Sequence, residues 1–268
     1  MPPNVTFAGV VTGLVHQSTV FWECPDQLTF TAHPDRVSRY NSSMERNEWL
    51  KQRRHLSEER YDRLWAPIYD EQWGNYIGPL HQQMLTRVLN GLPAQALILD
   101  AACGTGKYWP ILSASGREFV GIDQSAAMLE RARTKFPQVP VHKLGLQEMR
   151  FKSAFDLIIC MDAMENVFPE DWPQVLANFR RALKPAGQLY FTVEIADPAS
   201  LEADYHSALA RGLPVLPGES IGPTGPGDEQ GGYHFYPSME LVRQWLSAAN
   251  FSILEEAEAD DYHHFWCR

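Results

Sequence analysis

The segment of this 268-residue chain best suited to holding a ligand is Asp100-Ala101-Ala102-Cys103-Gly104-Thr105-Gly106. It begins inside the apolar run Leu97 to Ala101 and continues into small residues and two glycines. Glycines in such a turn let the backbone bend tightly and approach a ligand with no Cβ in the way. Asp123 closes the next apolar run, Glu118 to Asp123, where one carboxylate can accept hydrogen bonds from both hydroxyls of a ribose. Proton-handling groups follow two later runs: Glu165 and Asn166 after Phe155 to Met161, and Glu194 near the end of Gln188 to Ile195. A carboxylate there can bind a substrate amine or take a proton. His206, His234, His263 and His264 are further candidate bases. His234 leads because it lies between Tyr233 and Tyr236, just past a glycine-rich segment. The candidate catalytic groups are therefore His234, Glu165 and Glu194, each weighed against a plainer part as a helix cap, a structural acid or a surface histidine.

The elements that must position these groups alternate along the chain. Apolar runs at 97–101, 118–123, 139–142, 155–161 and 188–195 read as strands, with Val139-Pro140-Val141-His142 at an edge because proline cannot donate to a ladder. Helical patterns lie between them at 108–113, 125–135 (with Ser125 as N-cap) and 172–183, stopped by Pro185 and Gly187. Strand-helix alternation predicts a doubly wound α/β domain with a mostly parallel sheet. Phe251 to Leu254 and Tyr262 to Cys267 read as two last strands joined by an acidic turn, Glu255 to Asp261. Residues 197–236, rich in proline and glycine beyond a short helix at 201–210, read as an inserted lid.

Upstream, Tyr61, Trp65, Tyr69 and Trp73 recur every four residues, which puts them on one helix face. Such a stripe packs on a core or covers a ligand, and Pro67 must kink it. A helix start is expected near Ser57-Glu58-Glu59, and a second helix over 80–89. Residues 1–45 mix short β-like stretches with four prolines. The expected organisation is an N-terminal extension and helical cap over 1–77, followed by a catalytic domain over 78–268 that carries the lid at 197–236.

Composition bounds the partners. Lys and Arg total 23 against 33 Asp and Glu, a formal charge of −10 that repels phosphate backbones and anionic lipid. No apolar run is long enough to span a bilayer, so no membrane partner is expected. The four cysteines, Cys24, Cys103, Cys160 and Cys267, show no metal-ligand spacing, and no metal is expected. The reading is a cytoplasmic protein, monomeric or homodimeric, acting on a small molecule.

The glycine segment and its neighbours resemble the Rossmann-like, class I S-adenosylmethionine-dependent methyltransferases. Asp100, Ala102, Gly104 and Gly106 match that family's first motif. Phe119 to Leu129 is similar to the second, 145–160 to the adenine loop and fourth strand, and Leu183-Lys184-Pro185-Ala186-Gly187-Gln188-Leu189 to the turn into the fifth. The four motifs stand in register over about residues 90–195. The resemblance implies a seven-stranded sheet ending in an antiparallel hairpin. It implies S-adenosylmethionine as cofactor and S-adenosylhomocysteine as product. Ala102, Gly104 and Gly106 would line the methionine part, with Asp100 near its amino group. Asp123 would hold the ribose, with Gln124 and Met128 near the adenine, Leu146 reading its edge and Gln147 beside it. Met161 and Asp162 would face the reacting centre, and Tyr69 and Trp73 would cover the cofactor. One departure stands out: Gly145 occupies a position where the family often has an acid. The implied activity is methyl transfer to O, N or C of a small metabolite. Other readings stay open: a cofactor-binding enzyme that catalyses a cyclisation or rearrangement, a macromolecule methyltransferase, or a non-catalytic protein that kept the site.

Overall fold

The computed structural model describes residues 45–222 and 231–268, all within one compact unit, Asn41–Arg268. The β-like stretches of the N-terminal extension, Cys24 and the centre of the expected lid lie outside the described residues.

The chain enters through α1 (Arg46–Arg60), two short π-helical turns (Tyr61–Trp65 and Asp70–Gly74) and α2 (Pro79–Asn90). Five strands then alternate with helices: β1 (Leu97–Ala101), α3 (Trp109–Ala114), β2 (Glu118–Asp123), α4 (Ala126–Lys135), β3 (Val141–Lys143), β4 (Phe155–Cys160), α5 (Trp172–Ala182) and β5 (Leu183–Glu194). After β5 come α6 (Pro198–Ala210), the strands β6 (Glu219–Gly222) and β7 (Gly232–Phe235), α7 (Met239–Ala248), β8 (Ile253–Ala259) and β9 (Tyr262–Cys267).

The main sheet has seven strands in the order β3-β2-β1-β4-β5-β9-β8. The first five are parallel and β9 runs antiparallel to both β5 and β8. This is the expected doubly wound α/β sheet with its C-terminal hairpin. Side-chain alternation splits the core into two layers. Leu99, Ile158, Phe191 and Val193 face a cluster with Trp172, Phe179 and Leu246 of α5 and α7. Ile98, Leu157, Ile159 and Tyr190 face the other, with Leu85 and Val88 of α2, Leu112 of α3 and Leu129 of α4. Burial on both faces explains why β1 and β4 read as unbroken apolar runs. Because β2 and β4 flank β1, the winding direction reverses there, and a crevice opens beyond the carboxyl ends of these strands.

Local chemistry sets several boundaries. Ser125 caps α4 as expected, its Oγ accepting from the amide of Met128 at 3.1 Å. Four sequence expectations shift. The helix expected to start at Ser57 already begins at Arg46, because Trp49 and Leu50 bury in the core and Arg46 is clamped by Glu170 and Glu219. The fifth strand starts at Leu183, not Gln188, with a bulge that absorbs Pro185 to Gly187. The acidic segment 255–261 is mostly strand, since β8 pairs along β9 and Glu256 and Glu258 sit 2.8 and 3.0 Å from the two ring nitrogens of His263. Only Asp260 and Asp261 form the turn, both left-handed, at φ 54° and 62°. The lid region, read as loop beyond its helix, also folds into the antiparallel β6–β7 pair.

Candidate functional site

The sheet's two central strands each end in a strained residue. Ala102, just past β1, has φ 61°, and Asp162, just past β4, has φ 51°. Non-glycine residues rarely adopt this conformation, at about 1–3 kcal/mol each, and such outliers gather at binding sites. Between and above these ends lies a cavity of about 350 Å³, a size typical of small-molecule sites.

The glycine turn forms one wall. Gly104 has φ 53° with open space where a Cβ would project, and it lines the cavity beside Ala102. Asp123 ties this turn to β2: its Oδ2 accepts from the Gly104 amide at 2.9 Å and its Oδ1 from the Ser125 amide at 2.8 Å. Burial holds its pKa above the usual carboxylate value, against the pull of those amides. Gln124, Met128, Leu146 and Gln147 continue the wall around Asp123. The 146–147 segment is pinned from behind by the buried Asn178, whose Nδ2 donates to the carbonyls of Leu146 and Gln147 at 2.8 and 3.0 Å. Gly145 lines the cavity without a side chain to offer it.

Three residues expected at the cofactor stand behind the wall instead. Asp100 is buried, accepts from Trp109 Nε1 at 2.8 Å and is pushed up to about 7 by burial. Gly106 packs on Trp109 so closely that an added Cβ would meet the ring at 2.7 Å. Met161 sits in the core layer with α2. Asp100 and Gly106 set the shape of the turn rather than its inner surface, and Met161 packs in the core behind β4.

The aromatic stripe forms the roof. Tyr61, Trp65, Tyr69 and Trp73 all line the cavity, although the backbone around Pro67 is two π turns rather than one helix. Two acids inside the stripe fasten it. Asp62 Oδ1 accepts from Ser125 Oγ at 2.5 Å and from the Ala127 amide at 3.1 Å. Asp70 accepts from Thr105 Oγ1 at 2.6 Å and from Lys135 Nζ at 2.7 Å. The cap is thereby bound to both ends of α4 and to the glycine turn. Each acid directly follows a stripe tyrosine, a signal sequence reasoning passed over.

The far end of the cavity is acidic. Asp162 accepts from His81 Nε2 (3.1 Å), Lys107 Nζ (2.9 Å) and the Tyr108 hydroxyl (2.6 Å). Burial alone would raise its pKa, but His81, Lys107 and Tyr108 together hold it well below the usual carboxylate range. Glu165 and Glu194 line the same end. Burial, then repulsion from Glu194, pushes Glu165 well above the ordinary glutamate value. Glu194 is pushed up to about 7 by burial, with Asp162 and Asp261 adding to it. His234 lines the cavity from β7, its Nδ1 3.0 Å from the Tyr236 hydroxyl. The other histidines do not line it: His206 lies 3.8 Å from Glu202, His263 bridges Glu256 and Glu258, and His264 pairs with Tyr190. Lys107, His81, Asp62 and Asp70 are site or supporting residues that sequence reasoning did not single out.

Residues 98–187 match the family model described as a methyltransferase domain. The dTDP-4-amino-2,3,4,6-tetradeoxy-D-glucose N,N-dimethyltransferase of Saccharopolyspora spinosa is 31% identical over 46% of this chain and 51% of its own length. A ubiquinone biosynthesis O-methyltransferase of Histophilus somni is 30% identical over 48% of this chain and 57% of its own. The chain spans about half the length of the curated relatives it matches. Among solved structures, the DhpI–SAH complex superposes with a TM-score of 0.59 at 19% identity, covering 80% of this chain and 95% of that one. Magnesium protoporphyrin IX methyltransferase from Synechocystis with bound SAM does so at 0.56 and 15% identity, covering 80% and 95%. The fold is that of the class I methyltransferases.

Proposed function

We propose that this chain, whose residues 98–187 form a methyltransferase domain, is an S-adenosylmethionine-dependent methyltransferase acting on O, N or C of a small metabolite. The observation that carries the reading is the meeting of the Gly104 turn with Asp123 at the sheet's reversal point, under an aromatic roof. The residues present suit the cofactor. Gly104 leaves backbone open for its amino-acid end, Asp123 has acceptor capacity beyond its two amide bonds for a ribose diol, and Leu146 and Gln147 border the place for a purine. When bound, the cofactor supplies a methyl group on an electrophilic sulfonium. The protein's part is to hold the acceptor in line with that methyl group and keep water out.

In this reading Tyr69 and Trp73 cover the cofactor and Asp123 orients it. Glu165, Glu194 and His234 stand where the acceptor enters. Asp100 and Gly106 fix the turn from behind, and Met161 fills the core behind β4. The described residues 45–77 act as the cap, 78–268 as the catalytic domain, and the described parts of 197–236 as a lid. A cavity of about 350 Å³ favours a small acceptor over a macromolecule. Cys103, Cys160 and Cys267 are buried free thiols, which suits a reducing cytoplasm. The test is incubation with methyl-labelled S-adenosylmethionine and a metabolite pool. Label appearing in a product heavier by one methyl group is expected; cofactor turnover with no methylated product would overturn the assignment.

A further inference from the structure

We propose that the acceptor carries a basic nitrogen, held at the far end of the cavity by the paired carboxyls of Glu165 and Glu194. This rests on the methyl-transfer reading and narrows it to an amine substrate.

Of the four acids lining the cavity, two have both carboxylate oxygens engaged. Asp123 is engaged by backbone amides, and Asp162 by His81, Lys107 and Tyr108. Glu165 differs. It is 5% exposed, and its Oε1 accepts from Asn166 Nδ2 at 3.0 Å. Asn166 is itself oriented by the Tyr61 hydroxyl, which donates to its Oδ1 at 3.0 Å. That chain fixes the carboxyl and leaves Oε2 buried with no hydrogen-bond partner. A buried acceptor without a partner costs about 1–3 kcal/mol, so a site that keeps one is built to have it filled by something else. Glu194 borders the same space and is close enough to repel Glu165. Two carboxyls facing one space are best satisfied by a cation with several N–H donors. Tyr61 and Tyr262 line the cavity there and add ring faces of the kind that attract ammonium groups.

The arrangement also completes the reaction. An acceptor arriving as an ammonium ion passes one proton to the carboxylate pair, which exposes the nitrogen lone pair. The nitrogen then forms the N–C bond to the methyl group as the C–S bond breaks, its electron pair staying on sulfur. Positive charge thus moves from sulfur to nitrogen, beside the second carboxylate. The proton held by the pair leaves to solvent with the product.

The experiment is calorimetric titration of the whole protein with a panel of primary and secondary alkyl and aryl-alkyl amines, each beside its shape-matched alcohol, with and without S-adenosylhomocysteine. At least one amine should bind tighter than its alcohol by about tenfold or more. Glu165→Gln and Glu194→Gln should each remove most of that preference, while affinity for S-adenosylhomocysteine, which also reports folding, stays within about twofold. If no amine outbinds its alcohol, or if both variants keep the preference, the inference is wrong even though the nucleoside binds. If the amine preference is present but S-adenosylhomocysteine does not bind, the acid pair stands and the methyl-transfer reading fails.

Discussion

Asp162 keeps its charge in a nearly dry place because His81, Lys107 and Tyr108 converge on it, with a longer bond from Thr192 Oγ1 at 3.3 Å. Removing that charge strands Lys107, whose side chain is only 14% exposed. Asp162→Asn should therefore destabilise the fold by about 3–5 kcal/mol, read from urea unfolding. A loss under about 1 kcal/mol would mean that the three contacts do not hold in solution. Glu194 behaves in the opposite sense. Its folded pKa of about 7 lies above the usual 4.5, so the folded state holds its proton more tightly. Stability from this group is then full at low pH and lost as pH rises from 4.5 through 7. Glu194→Gln should leave the melting temperature near wild type at about pH 4, yet raise it by about 2–6 °C at about pH 8. Equal shifts at both values would rule out a raised pKa.

At the scale of elements, the aromatic segment 61–74 supplies the roof of the cavity, and two carboxylates hold it down. Asp62→Ala and Asp70→Ala should each make the segment 61–74 more open to limited proteolysis and weaken S-adenosylhomocysteine binding by about 5–20-fold, as expected for losing one or two partly buried hydrogen bonds. Unchanged cleavage would show that the aromatic contacts alone hold the cap. The strands behind the site were legible in the sequence because burial on both faces makes them continuous apolar runs, and Asp123 and the glycine turn were legible because their chemistry is local. Asp162's partners were not, since His81, Lys107 and Thr192 meet only when α2, the glycine turn and β5 converge. Asp100 and Gly106 were legible as part of a motif but not as supports, because the Trp109 side chain that both meet is placed by tertiary packing. The β6–β7 pair escaped notice because proline and glycine dominate the composition around it.

For the molecule as a whole, the stretch that matches the methyltransferase-domain model runs from β1 into β5. The roof and the lid side of the acidic end, with Trp73, Glu194 and His234, come from outside that stretch. A ligand that bridges wall and roof should stabilise the unit cooperatively. At about a hundred times its dissociation constant, S-adenosylhomocysteine should add about 2.7 kcal/mol, seen as a rise in melting temperature. The most direct measurement is calorimetric titration of S-adenosylhomocysteine into wild type and Asp123→Ala. The account predicts one saturable site in the wild type, weakened by about tenfold or more in the variant. No heat of binding in the wild type, or equal affinity in both, would contradict it.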